Sequence, residues 1–333
     1  MALTDLPAHR RPDGTFCNPP GSPPREAGAA EVFRFLRGRV FDKDRIETPS
    51  GHLLEAEAVR RGLLSAPNPS VTWLGHAAFL IRLGGKVALT DPFLGDTAGP
   101  AGFGPRRHVP PALAVDALPP IDLLLISHDH YDHLDLPTLK ALAGKADIDV
   151  VVPLGLGERL RRLGYAKVQE LDWWQAWHAD GLAIRLLPAV HSSGRGLFDR
   201  NRTLWGSFGL EAEDARLSFS GDTAYGAVFR EIGARAGPFD LAMVGIGAYE
   251  PRRIMKPVHA APEEAVKILR DIRARRGIGM HWGTIRLSAE PDFEAPGRFT
   301  AAARAQGYGE ENAVILKIGE TLAVGARAAV TAG

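Results

Sequence analysis

At 333 residues, with 40 basic against 39 acidic side chains and a formal net charge of +1, the chain is long enough for one large core and has no basic excess to grip nucleic acid. Its single cysteine, Cys17, has no internal disulfide partner and reads as a free surface thiol in a reducing compartment. No window holds the roughly 18 apolar residues needed to cross a bilayer, and the Pro/Gly-rich start after Arg10 and Arg11 lacks the apolar stretch of a signal peptide. A cytoplasmic protein is expected, with at most peripheral contact with the inner membrane face.

Residues 1–60 lack periodicity and are expected to form an irregular extension packed on the main fold, with a short helix at 31–37. Residues 61–333 form the main domain. Strands are predicted at 71–73, 78–83 and 87–90, the last two joined by the turn Gly84-Gly85-Lys86. The apolar run 121–127, bounded by Pro119 and Pro120, reads as a buried strand. Helices are predicted at 136–143, with Asp135 as N-cap and Gly144 as stop, at 156–163 before Gly164, and from 262 to about 275. Mixed strands and helices of this kind fit an α/β (α+β) architecture of two sheets sandwiched between helices.

Directly after the run 121–127 stands His128-Asp129-His130-Tyr131-Asp132-His133, four potential metal ligands in six residues. Where the chain stays extended, alternate side chains share a face, so His128, His130 and Asp132 converge while His133 turns to a second position. Three later segments also deliver an imidazole or carboxylate just past an apolar run, ending in His191, Asp222 and His281. The competing interpretation is a polar loop of solvated histidines, and these three segments weigh against it. Seven candidates suffice for two cations sharing a carboxylate. The ligand types suit zinc first, with manganese or iron as alternatives, and no cysteine suggests a sulfur-bound structural ion.

The order His-x-His-x-Asp-His, His, Asp, His resembles the metallo-β-lactamase superfamily of dinuclear hydrolases. Within it the chain is similar to the N-acyl-phosphatidylethanolamine-hydrolysing phospholipase D family, through Trp73-Leu74-Gly75-His76, Leu204-Trp205-Gly206-Ser207-Phe208, Gly247-Ala248-Tyr249-Glu250-Pro251 and His281-Trp282-Gly283-Thr284. The resemblance implies a four-layer αββα sandwich with two divalent metal ions at one edge and a possible homodimer. It also implies the division of labour: His128, His130 and His191 for the first ion, Asp132, His133 and His281 for the second, and Asp222 bridging. Asp132 and His259 carry the proposed catalytic roles, His259 by contacting phosphoryl oxygens or protonating the leaving group.

Asp91 is a candidate acceptor for a ligand histidine's free N–H, or a turn residue before Pro92. Arg195 and Arg202, in the loop after His191, are candidates for binding a substrate phosphate, although Arg195 and Asp199 could form a loop salt bridge instead. His76 reads as a hydrogen-bonded core histidine, and His9, His52, His108 and His178 as surface or local structure. Trp173, Trp174 and Trp177 could line an acyl-chain groove or pack in the core. The expected activity is metal-dependent hydrolysis, first of an N-acyl-phosphatidylethanolamine-like phospholipid by phospholipase D-type cleavage. A small soluble ester, lactone or phosphorylated metabolite is the alternative substrate class. A catalytically silent metal-binding protein is the alternative outside enzymes. Secreted β-lactam hydrolysis lacks an export signal, and tRNA processing lacks a basic appendage.

Overall fold

Two seven-stranded mixed sheets face each other in the computed structural model, which describes residues 7–40, 46–196 and 198–325. The first contains β1 (Ser70–Gly75), β2 (Ala78–Leu83), β3 (Lys86–Thr90), β4 (Leu123–Leu125), β5 (Asp149–Pro153), β6 (Lys167–Leu171) and, beyond β1, the late strand Thr321–Ala323. β1 to β3 run as an antiparallel meander, and β3 to β6 pair in parallel. β4 is buried on both faces, as its unbroken Leu run demands of a central parallel strand.

The second sheet begins with the hairpin of β7 (Ala176–Ala179) and β8 (Leu182–Leu187), followed by β9 (Ser207–Glu211) and β10 (Arg216–Phe219). Parallel strands β11 (Phe239–Gly245), β12 (Ala274–Met280) and β13 (Ala313–Val314) complete it, with Thr321–Ala323 taking the label β14. Phe79 on β2 and Phe219 on β10 meet edge to face across the core, ring centres 6.4 Å apart.

Helices cover the outer faces and one edge of the sandwich. Among those assigned, α1 spans Ala29–Val40, α2 Ala56–Ser65, α3 Leu136–Ala141, α4 Gly157–Arg162, α5 Val228–Arg235, α6 Arg252–Met255, α7 Pro262–Asp271 and α8 Ala295–Ala305. α7 lies on β11 and β12 with α5 and α8 beside it, whereas α2 and α4 pack on the first sheet. This is the expected αββα sandwich.

Several boundaries differ from the predictions for physical reasons. The helix predicted to run to about 275 stops at Asp271 because Arg273 adopts a left-handed φ of 59° and Ala274 enters the β12 ladder. The strand predicted over 121–127 pairs regularly only at Leu123–Leu125. Helices predicted at 136–143 and 156–163 are shorter, Leu136–Ala141 and Gly157–Arg162. Asp135 occupies the N-cap position of α3, yet its carboxylate accepts from the Gly95 N–H and the Thr138 hydroxyl instead of capping the helix. In the stretch predicted as irregular, the helix expected at 31–37 extends over Ala29–Val40, and α2 begins at Ala56.

Candidate metal centre

Each predicted ligand lies at a strand's C-terminal end or in the loop leaving it, along one edge of the sandwich. His128 to His133 follow β4, and His191, Asp222 and His281 follow β8, β10 and β12. Close approach of these loops needs glycine at two points. A side chain at Gly221 (φ 53°) would meet Ser127 Cβ at 2.4 Å, and one at Gly247 would meet the His281 carbonyl oxygen at 2.0 Å. The Gly-Ala-Tyr-Glu-Pro block therefore begins with glycine because it crosses directly over a ligand's backbone.

Among the described residues, two groups of four side chains form with their candidate donor atoms within 4.8 Å of one another, and two overlapping groups of three add Asp91 and His259. Of the groups of four, one is His128, His130, His191 and Asp222; the other is His76, Asp132, His133 and His281. Asp222 Oδ2 stands 3.1 Å from His133 Nε2, 3.7 Å from His191 Nε2 and 3.9 Å from His128 Nε2, so one carboxylate reaches both groups. Asp132 Oδ2 lies 3.3 Å from His281 Nε2 and 3.4 Å from His133 Nε2.

The surrounding hydrogen bonds assign the tautomers. The Nδ1–H of His133 donates to Asp91 Oδ2 at 2.7 Å, and that of His191 to the Val258 carbonyl at 2.7 Å. His128 Nδ1 lies 2.9 Å from the Ser127 hydroxyl, which donates to Asp91 at 2.5 Å. The Nε2 atoms of all three consequently face inward. His128 Nε2 and His191 Nε2 lie 3.0 and 3.2 Å from His130 Nδ1, and His133 Nε2 lies 3.3 Å from His281 Nε2. Asp222 Oδ1, buried, makes no aligned hydrogen bond and stands 3.2 Å from His281 Nε2. Ring nitrogens this close, around buried carboxylates, fit divalent cations and would be costly without them.

Burial opposes the charged form of each of these groups, and their neighbours decide the outcome. Asp222 and Asp132 stay well below the usual carboxylate range because His133 and the adjoining imidazoles outweigh desolvation. His128 and His191 are pushed well down by desolvation and nearby imidazoles. His281, against Asp222 and Asp132, is raised to about 9 despite burial. Metal binding would displace that proton.

The structure separates the remaining candidates. Asp91 orders two histidines, as anticipated for an acceptor, and also turns the chain, since its own carbonyl accepts from Phe93 N. His259 is nearly buried, with Nδ1 3.9 Å from Asp222 Oδ2, and burial lowers it to about 4. Arg195 does not face substrate space. Its guanidinium donates to the carbonyls of Asp129 and Leu134 and stacks on Tyr131, clamping the ligand loop. The Asp199 carboxylate takes the backbone N–H of Arg195, so the proposed salt bridge is a backbone turn. Arg202 is exposed on the neighbouring turn and does not line the cleft over the metal groups.

Sequence reasoning placed His76 in the core, away from the site. It is buried and hydrogen-bonded, but its Nε2–H donates to Asp132 Oδ2 at 2.9 Å, and its carbonyl accepts from His281 N at 3.1 Å. Both His76 (φ 56°) and His281 (φ 65°) adopt the left-handed conformation, which costs about 1–3 kcal/mol at a non-glycine residue. The signal was present, because His76 stands inside the Trp73-Leu74-Gly75-His76 block. Trp173 is a core residue donating to the Trp205 carbonyl, Trp174 lies under Arg235, and no tryptophan lines the cleft. His9 pairs with Asp172, His52 donates to the Gly283 carbonyl, and His178 is exposed on β7. Cys17 is half-buried, with its thiol toward the Ala8 carbonyl.

A Beta-lactamase superfamily domain profile matches residues 87–282, more than half of the chain. The chain belongs to that superfamily. An N-acyl-phosphatidylethanolamine-hydrolyzing phospholipase D from Caenorhabditis elegans is 43% identical over 68% of this chain and 67% of its own length. An uncharacterised Mycobacterium tuberculosis protein is also 43% identical, over 70% of this chain, and the chain spans only 64% of that relative's length. Among solved structures, an isothiocyanate hydrolase from Delia radicum gut bacteria aligns with TM-score 0.60 at 19% identity, over 76% of this chain and 98% of its own. The β-hydroxylase CmlA from Streptomyces venezuelae aligns at 0.57 and 22%, over 78% of this chain and 55% of its own. Both share the fold. Among the described residues, no helix is long and apolar enough to cross a membrane.

Proposed function

We propose that this protein is a dinuclear metal-dependent phosphodiesterase cleaving N-acyl-phosphatidylethanolamine-like phospholipids in the phospholipase D sense, with zinc as the first candidate metal. The observation that carries the substrate class is a cleft of about 350 Å³ opening on His130, Asp132, Asp222 and His259. Its walls include Val32 and Phe35 of α1, Ile254 and Met255 of α6, and Leu287, with Arg25 and Arg253 among the lining residues. An apolar wall beside cations and a hydrolytic centre suits a ligand joining an acyl chain to a phosphodiester.

His128, His130 and His191 would hold one cation and Asp132, His133 and His281 the other, with Asp222 shared. When bound, the metal pair supplies a water acidic enough to attack at neutral pH and positive charge facing the phosphoryl oxygens. Asp132 keeps its carboxylate ionised between His133 and His281. His259, uncharged at neutral pH by virtue of its burial, would donate a ring N–H to a non-bridging oxygen. Phe33 on α1 and Phe198 in the loop after His191 are 69% and 91% exposed, which supports peripheral contact with a lipid surface.

The test compares turnover of N-acyl-phosphatidylethanolamine in mixed micelles with that of a soluble phosphodiester and a lactone, on protein of measured metal content. Release of phosphatidic acid and an N-acylethanolamine is the expected result. Turnover of the lactone alone would move the assignment to the small-ester class, and absence of any bound transition metal would remove it.

A further inference from the structure

We propose that Asn18, which lies outside the stretch matched by the superfamily domain, is a positioning residue for the first metal group. The proposal rests on the assignment of His191 as a ligand.

Residues 9–18 cross the sandwich edge as a strap fixed at several points. His9 Nε2 lies 2.7 Å from Asp172 Oδ1, with its ring 4.3 Å from that of Trp173. Phe16 N donates to the Asn201 carbonyl at 2.8 Å, and Asn201 Nδ2 donates back to the Phe16 carbonyl at 3.3 Å. The strap then delivers the Asn18 amide oxygen to two donors: the backbone N–H of His191 at 2.9 Å and the Trp205 indole N–H at 3.1 Å.

These donors differ in their alternatives. Trp205 Nε1 has a second acceptor, the Ala189 carbonyl at 3.0 Å. The amide of His191, buried beyond the end of β8, donates to Asn18. The ring is fixed separately, through Nδ1–H to the Val258 carbonyl. His191 is consequently held at two points, its ring by the loop ahead of α7 and its backbone by the strap. Losing the backbone anchor lets the residue rotate about its ring contact and carries Nε2 away from His130 and Asp222. Outer contacts of this kind are worth about 10- to 100-fold in metal affinity.

The experiment titrates metal-free protein with Co²⁺ and then Zn²⁺, following the visible d–d bands, for wild type, Asn18→Leu, Asn18→Asp and His191→Ala. Asn18→Leu should weaken one binding step by about 10- to 100-fold, the same step that His191→Ala abolishes, and leave the other unchanged. Asn18→Asp, which keeps an acceptor oxygen, should restore it. Should Asn18→Leu fail to fold, Asn18→Ala carries the same expectation. Wild-type binding retained in Asn18→Leu, or equal weakening in the leucine and aspartate variants, would overturn the role of Asn18 alone. Wild-type protein that binds neither metal would instead overturn the metal assignment beneath it.

Discussion

The two sheets supply the candidate metal centre in different ways. The first sheet delivers His128, His130, Asp132 and His133 from one loop after β4, whereas the second delivers His191, Asp222 and His281 one at a time from three strand ends. The single loop is fixed by a local network: Asp91 takes His133 and Ser127, and Arg195 takes two of the loop's carbonyls. The separate ligands are fixed by neighbours remote in sequence, Asn18 and Val258 for His191 and His76 for His281. A site built half from one motif and half from convergence should respond unequally when either half is damaged.

The largest effect is expected at the residue both halves share. Asp222→Asn should abolish one cation site and weaken the other, lowering turnover well beyond the roughly 100-fold that marks an outer contact; near-normal metal content by elemental analysis would show that Asp222 bridges nothing. Next, Asp91→Ala should cost about 10- to 100-fold in metal affinity, since it frees two imidazoles at once. An unchanged titration would mean that backbone packing alone orients the loop.

Arg195→Ala strikes the same loop from further away. It should reduce stability by about 1.5–3 kcal/mol in urea unfolding, the range for hydrogen bonds from a charged group. Its effect on kcat should exceed any on KM; a rise in KM alone would return Arg195 to substrate binding. The smallest effect lies outside the centre. Burial lowers His108 to about 4 from its ordinary 6.5, so the unfolded chain takes up the proton first. The stability contributed by neutral His108 is complete above pH 6.5 and declines as pH falls from 6.5 toward 4. His108→Gln should flatten that part of a melting-temperature profile while leaving metal binding unaltered.

The same contrast explains what the sequence could reveal. Four candidate ligands in six residues are visible without a structure, because a strand end and a short loop fix their geometry locally. His191, Asp222 and His281 emerged only as an order of residues after apolar runs, and their convergence is a property of the sheet topology. The apolar runs marked only some of the strands and helices, leaving out strands such as β5 to β7, β9 and β11 and helices α2, α5, α6 and α8. The ends of those they did mark were set by pairing partners, as where β12 captures Ala274 from the predicted helix. Asn18 carried no signal of its own, since an Asn-Pro step is ordinary turn chemistry and its partner is 173 positions away. Arg195 misled because a guanidinium near a ligand suggests phosphate, whereas nearby carbonyls satisfied it first.

The backbone link from His281 N to the His76 carbonyl joins the first sheet to the second at the point where both chains turn left-handed. His76 also grips Asp132 through its ring. Sliding of one sheet over the other would therefore have to carry a carboxylate of the first and an imidazole of the second together. The spacing of those two candidate donors is thereby tied to the register of the two layers, a rivet at the edge where they would otherwise shear.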